Sequence, residues 1–214
     1  MKILGLSSTL SISCACLALL IGCAANPHAV YERLYAVDRS RVLSTFNEAL
    51  ATGRIEAAIP GNEIKISVTE SDRVFDAGWT LSYFKILLME GVPGRRYHFT
   101  IRSICDCFGL TKTLLVPYVY AVDELGDSLG EGPQNLTAKD PTLSLPIHLE
   151  GSFDLVAGSS GKCYFLVLAD NRYTGQPATN WHTSYTFSDG TERELEADIV
   201  ISPVGTVRLE VEQK

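Results

Sequence analysis

An alternation of apolar and polar residues, with a period of two, runs through most of this chain. It is clearest over residues 63–68, 97–107, 195–201 and 207–211. Because successive side chains of a β-strand point to opposite faces, each segment predicts a strand with one buried and one solvated face. Strands of this kind are typical of antiparallel sheets.

Two further segments, 114–122 and 164–169, are apolar on both faces and predict central strands. Turn sequences rich in Gly, Pro, Asn and Asp separate the predicted strands, and longer loops are expected over 126–141 and 171–182. The one helix we expect covers residues 40–50, where apolar residues recur at helical spacing. The predicted fold class is mainly β: an antiparallel β-sandwich of about 8–10 strands, jelly-roll or immunoglobulin-like, with one short N-terminal helix.

The N-terminus has the pattern of an export signal. Lys2 precedes an apolar segment that ends in Leu20-Ile21-Gly22-Cys23, which resembles the bacterial lipobox. The resemblance implies acylation of the Cys23 thiol, cleavage before this residue and acylation of the new amine. We therefore expect a signal peptide at 1–22, a lipidated tether at 23–34 and the β-sandwich domain at 35–214.

Two alternatives to lipidation remain open for this segment. It is long enough for a transmembrane anchor, although it contains many small and polar residues, and it also fits an ordinary cleaved signal. If Cys23 is lipidated, the chain is held at a membrane by its acyl chains. Ala24, in place of an aspartate, favours the bacterial outer membrane, and we expect the domain to face the periplasm.

Composition excludes one class of partner. The formal net charge is −7, with 25 acidic and 18 basic residues. Nucleic-acid binding depends on clustered Lys and Arg, so no nucleic-acid partner is expected.

With Cys23 set aside as the lipidation site, three cysteines follow the signal peptide: Cys105, Cys107 and Cys163. An extended strand holds residues i and i+2 about 7 Å apart, near the upper limit for a disulfide, so we expect Cys107 to pair with Cys163. Two alternatives stay open: reduced or merely buried cysteines, and a metal site completed by His98 or His182. We expect neither a metal ion nor a cofactor.

The chain has no recognisable catalytic motif such as G-x-S-x-G, H-E-x-x-H or a phosphate-binding glycine loop. His98 and His148 fall on the polar faces of predicted strands and are expected to be solvated. We therefore expect a protein that is not an enzyme, with a hydrolase acting on glycans or peptides as the alternative.

Aromatic residues near predicted loops are the candidates for ligand binding. Trp79 precedes a strand, and Tyr173 and Trp181 lie in the predicted 171–182 loop. Exposed rings of this kind can stack on sugars or anchor an interface, and the alternative is that they pack in the core.

The β-rich body resembles the periplasmic proteins encoded in bacterial maltose operons. The matching segments begin with Tyr35-Ala36-Val37-Asp38 and Ala51-Thr52-Gly53, and they continue through 116–123 and 162–167. The resemblance implies an envelope β-domain and assigns no functional residue. The expected function is that of an outer-membrane lipoprotein whose sandwich binds a partner protein or an envelope glycan, with a purely structural envelope component as a further alternative.

Overall fold

The computed structural model describes residues 26–107, 112–142, 145–186 and 192–214, and of residues 180–186 and 192–197 it describes the backbone only. The predicted signal peptide and the predicted lipidation site, Cys23, lie outside the described residues. Within the described ranges, none of the helices is both long and apolar enough to cross a bilayer.

The described residues form two short α-helices, two 3-10 turns and fifteen strands. The helices are α1 (Pro27–Tyr35) and α2 (Phe46–Thr52), and the 3-10 turns are Arg39–Arg41 and Asn171–Tyr173. The strands are β1 (Val42–Leu43), β2 (Ile55–Ala58), β3 (Glu63–Val68), β4 (Val74–Asp76), β5 (Leu81–Glu90), β6 (Arg96–Ile104), β7 (Lys112–Leu114), β8 (Pro117–Val122), β9 (Ser128–Gly132), β10 (Thr137–Lys139), β11 (His148–Val156), β12 (Lys162–Ala169), β13 (Pro177–Thr186), β14 (Glu192–Ile201) and β15 (Gly205–Gln213).

The strands are arranged in three sheets. A seven-stranded sheet has the order β1-β4-β5-β12-β8-β9, with β2 also pairing with β5, and a five-stranded sheet has the order β10-β11-β6-β15-β3. A three-stranded sheet has the order β13-β14-β7. Pairing is antiparallel except between β1 and β4, β2 and β5, and β14 and β7.

The two larger sheets pack face to face around the main core. Phe99 of the five-stranded sheet and Phe165 of the seven-stranded sheet are fully buried, with ring centroids 5.0 Å apart. Val119, Val167 and Leu209 are fully buried in the same core. The predicted mainly β, sandwich-like fold is therefore confirmed, and two packed apolar faces explain why its strands alternate.

The predicted central strands are also confirmed, with one difference. β12 lies between β5 and β8, and β8 lies between β12 and β9. The 114–122 segment is not one strand, because β7 ends at Leu114 and β8 begins at Pro117. These two strands belong to different sheets, so the intervening residues carry the chain from one to the other.

The prediction of one helix over 40–50 is wrong at its start. Val42 and Leu43 pair in parallel with Val74 and Phe75, and the helix begins only after Thr45. The Thr45 side chain accepts a hydrogen bond from the Glu48 N–H, while the Glu48 carboxylate accepts from the Thr45 N–H. This capping box satisfies N–H groups at the first turn and fixes where α2 begins.

The expected tether at 23–34 overlaps a second helix. Residues 27–35 form α1, with Asn26 as the N-cap and Pro27 at the first helical position. Val30 and Leu34 are fully buried in the main core. This part of the chain therefore belongs to the domain.

The two predicted long loops contain regular structure. β9 and β10 lie within 126–141, and the second 3-10 turn and the start of β13 lie within 171–182. His148, expected to be solvated, is buried and its Nδ1 lies 2.9 Å from the carbonyl oxygen of Pro146.

The predicted Cys107–Cys163 disulfide is wrong. Cys105 pairs with Cys107, and Cys163 is a buried free thiol in the main core. β6 ends at Ile104, so the chain is no longer extended at the two cysteines and their Cα atoms are 5.3 Å apart. That separation is well within the range for a disulfide.

Candidate functional site

The outer face of the seven-stranded sheet carries a cluster of aromatic side chains. Tyr118 and Tyr120 alternate along β8 with the buried Val119, so both point away from the main core. Their ring centroids are 4.9 Å apart, and the Tyr118 ring lies 5.0 Å from that of Trp79. The Trp79 Nε1 donates a hydrogen bond of 3.0 Å to the Tyr120 hydroxyl, which holds the indole against the sheet.

Arg172 covers this cluster from the second 3-10 turn. Its guanidinium carbon lies 4.6 Å from the Trp79 ring centroid and 5.6 Å from that of Tyr173. The buried Asp170 carboxylate accepts two hydrogen bonds from Arg172, from Nε at 3.0 Å and from an Nη at 2.7 Å. This paired geometry fixes the guanidinium plane, and the Asp170 carboxylate raises the pKa of Arg172.

The turn that carries Arg172 is itself anchored. The buried Asn171 donates through its side-chain amide to the carbonyl oxygen of Leu81, at 2.7 Å. The Asp170 N–H donates to the carbonyl oxygen of Val116, also at 2.7 Å. Arg172 and Tyr173 are therefore presented from a fixed position next to β8.

A groove of about 410 Å³ opens beside these side chains. We call it the aromatic groove. It is lined by residues from three segments of the chain, including Tyr118, Glu131, Gln134, Asp170, Arg172 and Tyr173. Burial and a hydrogen bond to the Glu131 carboxylate raise the pKa of Tyr118.

The structure brings together two of the three predicted binding residues. Trp79 and Tyr173 are 94 positions apart in sequence, yet both lie against Arg172. Trp79 is half-buried beneath the guanidinium, while Tyr173 is exposed at the groove. The side chain of Trp181, the third, lies outside the described side chains.

Sequence reasoning missed Tyr118, Glu131 and Arg172. The sequence could have indicated Tyr118. Tyrosines at 118 and 120 share one face of a predicted strand, and each carries a hydroxyl that needs water or a hydrogen-bond partner. Nothing in the sequence indicated that Arg172 pairs with Asp170 over Trp79.

Two other concave surfaces share lining residues with the cluster or with the aromatic groove. An apolar pocket of about 550 Å³ is lined by Tyr120 together with residues that include Phe46, Phe75 and Leu166. A polar groove of about 670 Å³ lies at the five-stranded sheet and shares Glu131 and Gln134 with the aromatic groove.

Among the side chains that the structure describes, no three His, Cys, Asp or Glu residues are grouped so as to hold a metal ion. The predicted alternative of a metal site at Cys105, Cys107 and Cys163 does not fit the structure, since two of these sulfurs form a disulfide.

No protein-family model and no curated protein matches the chain. Among solved structures, it is similar to the pre-peptidase C-terminal domain of a collagenase from Bacillus anthracis, with 13% identity, a TM-score of 0.33, and coverage of 75% of this chain and 96% of that one. It is also similar to the secreted protein MopE of Methylococcus capsulatus, with 9% identity, a TM-score of 0.34, and coverage of 81% and 98%. At this level of similarity neither structure assigns a function to this chain.

Proposed function

We propose that this chain is a cell-envelope lipoprotein whose β-sandwich is a non-catalytic module that binds an uncharged glycan in the aromatic groove. The observation that carries the proposal is the arrangement of Tyr173, Arg172 and Tyr118 around one open groove. The Arg172–Asp170 pair holds this arrangement in place before any ligand arrives.

The groove offers the two kinds of contact that a sugar needs. An exposed aromatic ring covers the apolar C–H face of a pyranose, and Tyr173 is such a ring. Fixed polar groups at the edges of a site orient the ligand, and here the Gln134 amide, the Glu131 carboxylate and the Arg172 guanidinium do so for hydroxyl groups.

The charges of the groove argue against an anionic ligand. The positive charge of Arg172 is matched by Asp170, and Glu131 adds a further negative charge to the lining. The net charge of the whole chain, −7, has the same sign. A uronate or phosphate chain would meet repulsion here that a neutral sugar avoids.

The location rests on the N-terminal pattern. Lipidation at Cys23 within Leu20-Ile21-Gly22-Cys23 would hold the domain at the outer membrane, on the periplasmic side. A glycan-binding module at this position would attach to a polysaccharide of the envelope.

A partner protein is the second candidate ligand, and the apolar pocket favours it. Phe46, Phe75 and Leu166 line this pocket next to Tyr120, and an apolar pocket of this kind suits the anchor side chain of a partner.

The test is titration calorimetry with β-1,4-linked glucose and N-acetylglucosamine oligomers and with a glucuronate oligomer. We expect the two uncharged series to bind, and Arg172→Ala or Tyr173→Ala to weaken binding by about tenfold. Tyr35→Ala is the matched control, because Tyr35 is a similarly exposed tyrosine that does not line the groove. The proposal would be contradicted if neither uncharged series bound. It would also be contradicted if Tyr35→Ala weakened binding as much as Arg172→Ala or Tyr173→Ala does.

A further inference from the structure

The polar groove continues the aromatic groove around one edge of the sandwich. β9 is the last strand of the seven-stranded sheet at this edge, and β10 is the last strand of the five-stranded sheet. The chain crosses from one to the other between Gly132 and Thr137. Glu131 and Gln134 line both grooves, so the two concave surfaces meet at this crossing.

The crossing segment lies close to β11. A Cβ atom added at Gly151 would lie 2.7 Å from the carbonyl oxygen of Asn135, and one added at Gly132 would lie 2.6 Å from the Phe153 ring. These two glycines therefore allow the segment to pack against β11 with Gln134 and Asn135 exposed above it.

The floor of the polar groove is the solvated face of β6 and β11. Thr100 and Ser152 are paired across the two strands, as are His98 and Asp154. His98 Nδ1 lies 2.7 Å from the Asp154 carboxylate, which also accepts from Lys214 Nζ at 2.9 Å. The groove thus presents hydroxyl, amide, imidazole and carboxylate groups in a row beyond the aromatic groove.

From this continuity we infer that the site binds several consecutive sugars of an uncharged polysaccharide, running from Tyr173 past Gln134 to Ser152. This inference rests on the proposed function. The aromatic groove holds one end of the bound segment by stacking, and the polar groove adds hydrogen bonds to each further unit.

The charges in the polar groove support the choice of an uncharged chain. Hydrogen bonds from His98 and Lys214 lower the pKa of Asp154, and the Arg102 guanidinium lowers that of Glu150. Both carboxylates are therefore ionised at neutral pH and are paired with Arg102 and Lys214, so neither of these two cations offers an unpaired charge to an anionic polysaccharide.

The experiment compares oligomers of two and six units in the same uncharged glucose and N-acetylglucosamine series. We expect the hexamer to bind about tenfold more tightly than the dimer. In Ser152→Tyr the added ring should block the polar groove, so the hexamer loses its advantage while dimer affinity is unchanged. Ser67→Tyr is the matched control, because Ser67 is an exposed serine on β3 of the same sheet and does not line the groove.

Asn135→Ala provides a second variant that removes an exposed amide without adding bulk, and it should also weaken the hexamer more than the dimer. Equal affinity for dimer and hexamer in the wild type would overturn the extended site and leave glycan binding intact. Failure of both series to bind at any length would instead remove the proposed function on which this inference rests.

Discussion

At the scale of single residues, the cysteines show how one local bend changes a covalent assignment. If residues 105–107 were extended, a disulfide between Cys105 and Cys107 would be disfavoured. The predicted pairing of Cys107 with Cys163 rests on that assumption. The chain leaves the extended conformation after Ile104, which brings the two Cα atoms to 5.3 Å. The backbone conformation at two residues thus decides which sulfur remains free.

Thiol alkylation tests this assignment directly. In denatured, non-reduced protein, we expect Cys163 to be the one alkylated residue among Cys105, Cys107 and Cys163. In folded protein its alkylation should be slow, because the side chain is fully buried and burial raises the pKa of its thiol. Alkylation of Cys105 or Cys107 without prior reduction would contradict the disulfide.

A second prediction at this scale concerns acid stability and Glu150. The Arg102 guanidinium donates to the Glu150 carboxylate at 2.8 Å and lowers its pKa. A carboxyl whose pKa is lower in the folded state contributes stability above its unfolded pKa, and this contribution is lost as pH falls through the folded value. Because the pair is partly exposed, the contribution is about 1 kcal/mol or less.

We therefore expect Glu150→Gln to lower the free energy of unfolding at pH 7 by about 1 kcal/mol or less, and the difference from wild type to vanish at about pH 2. Urea unfolding of both proteins at the two pH values measures this. A difference of the same size at both values would show that the charge of Glu150 is not responsible.

At the scale of elements, the helices illustrate which sequence signals are decisive. Apolar spacing over 40–50 predicted a helix that begins too early. Val42 and Leu43 fit the helical spacing, but two adjacent apolar residues are also compatible with the short strand that they form. The Thr45–Glu48 capping box marks the true start. In the same way, Asn26 followed by Pro27 marks the start of α1, in a segment that the lipobox resemblance assigns to a tether.

Substitution in α1 tests whether this helix is part of the domain. Leu34 is fully buried in the main core, so Leu34→Ala should lower the free energy of unfolding by at least about 2 kcal/mol. Glu32→Ala, an exposed position in the same helix, should change it by about 0.5 kcal/mol or less. Chemical denaturation measures both, and equal stabilities of the two variants would show that α1 does not pack in the core.

At the scale of the whole molecule, the sandwich was predictable and the candidate site was predictable only in part. The alternation of period two follows directly from burying one face of each strand, so fold class follows from the sequence. The candidate site combines Tyr118, Glu131 and Arg172, which line the groove, with Trp79 beneath Arg172, and these residues come from four separate segments. Aromatic character pointed to Trp79 and Tyr173, but only the tertiary fold brings Arg172 between them.

The central claim is that glycan binds at the aromatic groove, and the fluorescence of Trp79 tests it most directly. The chain has two tryptophans, Trp79 and Trp181, so Trp181→Phe leaves Trp79 as the single reporter beneath Arg172. We predict that a β-1,4-linked hexamer of N-acetylglucosamine or glucose shifts Trp79 emission in a saturable way, and that Arg172→Ala weakens this response by about tenfold. Unchanged Trp79 emission at oligomer concentrations that saturate binding in calorimetry would show that the glycan binds elsewhere and would contradict the assignment of the groove.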